Sequence, residues 1–293
     1  MRSPKEINAL IRLLDDPDED IYGHIKQELK SFGSDVIPNL ELHWETNRLG
    51  KLFQHRVESL IHEIQYGSLE EHLISWWKSD KPDLLEGVTL VSNYKYPDLT
   101  LDDLNKKLSL FTNEIWLEIN DNLTALEKIK MINHFIFDVH QFSGNIEGFH
   151  DKQNSFLKDV LESKKGNPLS LSILYILIGR QLDLPIYGVN LPRHFVVAYL
   201  DPFQLQKKVE DSPVLFYINP FSQGDVFGAE ELSEFLEKIN VPESAEFYKP
   251  CDSKSIVKRM LNNLIHSYAT SGELKKAEEI KKLTSFLNTK KED

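Results

Sequence analysis

The run Gly166-Asn167-Pro168-Leu169-Ser170-Leu171-Ser172-Ile173-Leu174-Tyr175-Ile176-Leu177-Ile178-Gly179-Arg180-Gln181-Leu182 decides the fold. From Leu169 onward its apolar residues are nearly continuous, at 169, 171, 173, 174, 176, 177 and 178. A helix that is apolar all round lies in the middle of a domain. This one falls short of the ~20 residues needed to cross a bilayer. Three strand-like runs follow, over 186–191, 194–200 and 214–219, separated by Pro192 and by the polar stretch 201–213. Sequential strands with short or hairpin connections predict an antiparallel sheet. Helices first and strands later give an α+β core.

Upstream of this core the sequence reads as helix throughout. Ser3-Pro4-Lys5-Glu6 is a capping box with proline at the first helical position, and Ile7, Leu10, Ile11 and Leu14 make one apolar stripe. Asp16-Pro17-Asp18 breaks it. Further stripes hold Ile21, Ile25, Leu29 and Phe32, then Val36, Ile37, Leu40 and Trp44, then Leu52, Phe53, Leu60, Ile61 and Ile64. Paired short helices with an Asp-Pro break and an Ile-Pro after a turn resemble HEAT-type repeats. A second capping box, Ser68-Leu69-Glu70-Glu71, opens a helix carrying Trp76 and Trp77. These two point about 100° apart, so one belongs to a core and the other packs on a neighbour. Helices near 83–94 and 101–119 flank Pro97, and Thr124 caps another that buries Ile129, Ile132, Ile136 and Phe137. Gly144-Asn145 and Gly148 mark a loop before a short helix with Val160 and Leu161.

Downstream, 229–239 is one helix, and 257–269 and 273–287 form a pair joined by Thr270-Ser271-Gly272. Leu264, Tyr268, Gly272 and Ala277 stand where a tetratricopeptide hairpin places its packing residues. A single such hairpin cannot bury a core alone and docks on the domain before it. The expected organisation is a helical, HEAT-like region over 1–80, a core domain over 81–250 and a tetratricopeptide-like hairpin over 251–293.

Charge and composition bound the function. The 293 residues are 41% hydrophobic and 27% charged, which excludes a disordered or collagen-like protein. Lys and Arg number 34 against 46 Asp and Glu, a net charge of −12. Such a surface repels phosphate, so neither general nucleic-acid binding nor a polybasic membrane anchor is expected. The N-terminus enters a helix pattern without a signal-peptide apolar region. A single cysteine, Cys251, forms neither an internal disulfide nor a zinc site, which points to the cytoplasm. Nothing basic adjoins it in sequence to activate it. His62-Glu63 lacks the second histidine of metalloprotease spacing, and His140 and His150 merely flank the Gly144 loop. No phosphate-binding loop or dinucleotide fingerprint is present, so neither a cofactor nor a metal is expected.

Three segments stand out together: Gly166-Asn167-Pro168-Leu169-Ser170-Leu171-Ser172, Pro192-Arg193-His194-Phe195-Val196-Val197 and Tyr217-Ile218-Asn219-Pro220-Phe221. In order and type they resemble the transglutaminase-like superfamily of papain-like proteases, and more closely its bacterial SirB-type branch. That branch resembles Gly-x-Pro-x-Ser-Leu opening a buried helix, Pro-x-His-Phe on a strand and Asp-Pro-Phe ending the next. The likeness extends from Gly144-Asn145 and Asn154-Ser155-Phe156-Leu157 to Arg259-Met260-Leu261-Asn262-Asn263-Leu264, covering roughly 95–290.

The resemblance implies a papain-like core with a small antiparallel sheet around a buried helix. It also implies a site. Active members place a cysteine at the first turn of the central helix, where the helix terminus favours the thiolate. A histidine on the adjacent strand is the base, and an aspartate on the next orients it. In active members the cysteine precedes the proline of Gly-Ile-Pro by seventeen residues. Leu184-Pro185 fits that mark here, which puts Pro168 at the nucleophile position, His194 at the base and Asn219 at the orienting residue. Asparagine departs from the aspartate of the branch, although papain-type triads use it to orient histidine. Asp201 lies seven strand residues from His194, roughly 23 Å if extended, too far to orient the ring.

Ser170 lies about 200° around the helix from position 168 and faces away from it. Ser172 lies about 40° around but roughly 6 Å deeper. Both serines also fit packing or backbone hydrogen-bonding roles, and His194 fits either a retained base or a structural, ligand-contacting residue. Two functions follow. One is a non-catalytic cytoplasmic binding or scaffold protein for a protein or peptide partner, with the groove beside His194 and Asn219. The other is a hydrolase or acyl transferase using His194 with Ser172 or a water.

Overall fold

The computed structural model describes residues 4–46, 50–149 and 151–285. The Ser3 cap, His150 and the end of the helix expected over 273–287 lie outside the described residues. The protein divides into two units, Met1–Ser75 and Trp76–Asp293.

In the first unit, helices α1 (Pro4–Arg12), α2 (Glu19–Lys30), α3 (Ile37–Thr46) and most of α4 (Lys51–Lys78) surround a core of Ile11, Leu14, Leu29, Leu40, Phe53 and Leu60. The Asp-Pro-Asp break doubles as a cap, because the Asp18 carboxylate accepts the N–H groups of Asp20 and Ile21. Arg56, only 5% exposed, donates to the carbonyls of Leu14 (2.9 Å) and Asp16 (2.7 Å) and pairs with Glu19 (2.7 Å). It thereby satisfies carbonyls where one helix ends and ties them to the start of the next.

The capping box expected at Ser68 is not formed. Helix α4 runs unbroken through Gly67 and Ser68, and the Ser68 hydroxyl lies 3.4 Å from His72 Nδ1, one turn further on. A break there would orphan four amides, whereas glycine inside a helix costs only about 1 kcal/mol.

The second unit starts with α5 (Leu84–Asn93), α6 (Leu101–Glu118) and α7 (Ala125–Asn133). Asp83 caps the first, and reciprocal boxes at Thr100/Asp103 and Thr124/Glu127 cap the others. A π-turn, His134–Val139, continues α7. Strand β1 (Ser143–Gly144) pairs in parallel with β2 (Lys165–Gly166), on either side of α8 (Leu157–Ser163). Next comes α9 (Pro168–Gln181), buried at every position from Pro168 to Gly179.

Four antiparallel strands in sequence order follow: β3 (Ile186–Val189), β4 (Val196–Leu200), β5 (Val214–Asn219) and β6 (Asp225–Phe227). The three expected runs therefore share one sheet, and the α+β reading holds. All five residues of β4 are buried, so this strand shows no polar alternation. The fourth strand was not expected. It is three residues long and largely exposed, too short to carry a periodicity.

Helices α10 (Ala229–Lys238), α11 (Ser253–Thr270) and α12 (Leu274–Leu283) complete the second unit. The last two form a hairpin that turns at Gly272 (φ +80°), a left-handed conformation suited to glycine. Helix α11 also packs on α5. There Trp76 is buried and donates its indole N–H to the Asp83 carbonyl (2.7 Å), while Trp77 is half-buried with the Lys254 ammonium 5.8 Å above its ring.

Gly87 makes this close packing possible. A Cβ on it would lie 2.5 Å from the Trp76 ring and 2.8 Å from Val257. Gly87→Ala should therefore destabilise the protein by ~1–3 kcal/mol through overpacking. Gly67→Ala, where a Cβ meets nothing within 4 Å, should instead stabilise it by up to ~1 kcal/mol. Denaturant melts of the two variants check both signs.

Candidate functional site

The N-terminus of α9 is built by reciprocal hydrogen bonds. Asn167 Oδ1 accepts the Ser170 N–H (2.9 Å), and Ser170 Oγ accepts the Asn167 N–H (3.0 Å). Pro168 stands between them at the first helical position, where its lack of an N–H costs nothing. The preceding loop is clamped to the same point. Asn145 N–H donates to the Gly166 carbonyl (2.9 Å), and its amide to Asn154 Oδ1 (3.0 Å). Asn154, almost fully buried, donates in turn to the Gly148 carbonyl (2.6 Å). Phe149 is thereby held in the lining of a cleft of ≈ 120 Å³, which Pro168 and His194 also line.

His194 reaches the cleft through a tight turn in which Arg193 adopts φ +61° and the His194 N–H donates to the Leu191 carbonyl (3.3 Å). Its Nε2 lies 3.3 Å from Asn219 Oδ1. That oxygen also accepts the Phe221 N–H (3.2 Å), while the Asn219 amide donates to Ser222 Oγ (3.0 Å). A backbone N–H can only donate, so it fixes the oxygen end of the amide toward the ring. Nε2 therefore carries the proton, and the lone pair of the neutral imidazole is on Nδ1. The Phe221 and Phe235 rings flank the imidazole, with centroids 6.4 and 5.6 Å away. Burial holds the His194 pKa below the usual 6.5. The Asn219 contact opposes this, and the Arg259 charge adds to it.

The structure thus brings His194 and Asn219 into contact and sets Pro168 and His194 in one cleft. The serines are engaged elsewhere. Ser170 belongs to the helix cap, and the fully buried Ser172 hydroxyl donates to the Phe195 carbonyl (3.4 Å). Asp201 caps its own turn, accepting from the Phe203 N–H (2.9 Å) and the Gln204 amide (2.6 Å). Burial pushes the Cys251 thiol up to about 12. His140 meets Glu114 at 2.8 Å, and among the described residues no three His, Cys, Asp or Glu side chains converge as a metal site. Among the same residues no helix is long and apolar enough to cross a membrane.

One wall of the cleft comes from α11, which contributes Arg259, Asn263, His266 and Ser267. Sequence reading included Arg259 and Asn263 in a motif without placing them in the site, and missed the other two. The available signal was their spacing: polar residues at 259, 263 and 266–267 form a helical stripe beside the buried Ile256, Met260 and Leu264.

Comparison with known proteins identifies the family. Residues 102–262 match the family model described as the transglutaminase-like superfamily. The chain belongs to that superfamily. The UPF0162 protein of Xylella fastidiosa (strain 9a5c) is 27% identical over 221 residues, 71% of this chain and 75% of that protein. A second UPF0162 protein, from Vibrio cholerae, is 26% identical over 133 residues, 42% of this chain and 49% of its own length. F-box only protein 21 of Mus musculus is 30% identical over 134 residues, 46% of this chain but 21% of that longer protein. No solved structure matches the chain. The UPF0162 relatives place this transglutaminase-like protein in a bacterial branch, as the SirB-type pattern implies.

The depressed His194 pKa has a definite sign. As the pH falls below 6.5 the unfolded protein takes up this proton first. The stabilising contribution of neutral His194 is therefore complete above 6.5 and is lost as pH falls through the lower folded-state value. An NMR titration of the His194 ring should give a midpoint below 6.5, and Asn219→Asp should move it upward by favouring the imidazolium.

Proposed function

We propose that this transglutaminase-like protein is a non-catalytic binding or scaffold protein of the cytoplasm, which holds a protein or peptide partner in the cleft beside His194 and Asn219. One observation supports this reading: Pro168 stands at the first turn of the buried helix, in one cleft with His194, and the resemblance assigns the family's nucleophile to that turn. Covalent catalysis on this plan needs a thiolate at the helix N-terminus and a histidine to accept its proton. His194 is oriented for that task by Asn219, but proline supplies no nucleophilic atom. The nearby serine hydroxyls are tied to the helix cap and to the Phe195 carbonyl just ahead of β4. Asparagine also lacks the charge that would stabilise an imidazolium. The N-terminal helices, read as HEAT-like pairs, and the tetratricopeptide-like hairpin offer further surfaces to a partner.

Restoring the thiol tests the reading. In a Cys251→Ser parent, Pro168→Cys should fold with little loss. It should react with iodoacetamide at pH 7 faster than a free model thiol, because a helix N-terminus and an imidazole both lower a thiol pKa. Adding Asn219→Asp should raise the rate again. The wild-type protein should react slowly, its one thiol having a pKa of about 12. A Pro168→Cys thiol no faster than the free one would show that His194 does not serve this helix end. Turnover of amides or esters by the wild type, lost in His194→Ala, would overturn the non-catalytic reading.

A further inference from the structure

The cleft is electropositive in an acidic protein. Acidic residues number 46 against 34 basic ones, yet among the described residues no carboxylate lines this cleft, while Arg193 and Arg259 do, beside the neutral His194. Arg259 is the most telling. It sits half-buried on the second turn of α11, with Nη1 donating to Asn190 Oδ1 (3.1 Å) and to the Leu191 carbonyl (3.3 Å). These neutral acceptors fix the direction of the guanidinium and leave its other nitrogens for a ligand. No ion pair joins Arg193 or Arg259 to a carboxylate among the described residues. Burial lowers the Arg259 pKa. A partly desolvated cation without a counter-charge is costly, and an anion in the cleft would offset that cost.

The remaining walls restrict the anion. Phe149, Leu169 and Phe195 supply apolar surface beside the cations. The volume, ≈ 120 Å³, fits one small anionic group. The net charge of −12 also repels a polyanion before it reaches the cleft. A guanidinium presents paired donors that suit the two oxygens of a carboxylate, and the cleft adjoins the positive end of α9.

We propose that the cleft binds a single peptide carboxylate next to an apolar residue, with Arg259 and Arg193 holding the two oxygens over the start of α9. This rests on reading the cleft as a binding groove and names what that groove recognises. The carboxylate comes either from a peptide's C-terminus or from an acidic side chain.

Calorimetry on the intact protein decides, with four probes: acetyl-Gly-Phe with a free carboxylate, its C-terminal amide, acetyl-Glu-Phe-amide and inorganic phosphate. The free acid or the Glu peptide should bind at least tenfold more tightly than acetyl-Gly-Phe-amide. The stronger of the two identifies the source, and either result supports the proposal. Arg259→Gln should lose at least tenfold in affinity and Arg259→Lys less, since lysine keeps the charge but not the paired donors. Arg193→Ala, at an exposed position, should lose severalfold with an unchanged circular dichroism spectrum. Equal binding of acid and amide, absence of binding, full affinity in the Arg193→Ala/Arg259→Gln double variant, or phosphate displacing the peptide at lower concentration would each overturn it. Cleavage of a bound probe would overturn the non-catalytic reading and leave the anion site standing. Absence of binding together with a reactive Pro168→Cys thiol would overturn only the anion site.

Discussion

The pair of hydrogen bonds exchanged between Asn167 and Ser170 is what the rest of this domain depends on. A helix that is buried on every face has no water to satisfy its first amides, so its start must be completed by protein groups. Asparagine and serine satisfy two of them, and proline removes another. With that end closed, α9 serves as a fixed axle. The sheet lies along it, the Asn145–Asn154 clamp is anchored just ahead of it, and the cleft forms over its first turn. The devices that make the helix start possible therefore also determine what sits at the bottom of the site.

Much of this was legible because it rests on local pattern. A run of apolar residues opened by Asn-Pro reads as a buried helix with or without its neighbours, and Pro192 and the polar stretch 201–213 mark strand ends by elementary backbone chemistry. The π-turn and the exposed three-residue β6 escape such reading because they carry no periodicity of their own. Ser68 misled for the opposite reason: its local signal was sound, but a capping motif acts only where a helix begins, and α4 does not begin there. The partners of Arg56 and Arg259 were beyond reach for a third reason. Arg56 meets carbonyls 42 and 40 residues away in sequence, and Arg259 meets Asn190 across 69. Such pairings exist only once the tertiary fold exists.

The site separates two properties that are usually found together in a papain-like centre. Orientation of the imidazole survives in full, since the proton on Nε2 and the amide of Asn219 fix each other. On the proposed reading, with Pro168 at the start of α9, nucleophilic reactivity does not accompany it. An imidazole kept neutral by burial and by the Arg259 charge is a hydrogen-bonding group poised between donor and acceptor roles, useful in recognising a ligand without any bond being broken.

The turn that delivers His194 carries a tension of its own. Arg193 holds φ +61°, a left-handed conformation that costs a residue bearing a side chain about 1–2 kcal/mol. Glycine would relax that corner, and any scheme for improving thermal stability from backbone geometry would choose it first. The same exchange would strip one of two guanidinium groups from the cleft and loosen the backbone that aims the imidazole. If the cleft binds as proposed, residue 193 is a point where resistance to heat and recognition pull in opposite directions, and the most obvious stabilising change to this protein is one an engineer should leave alone.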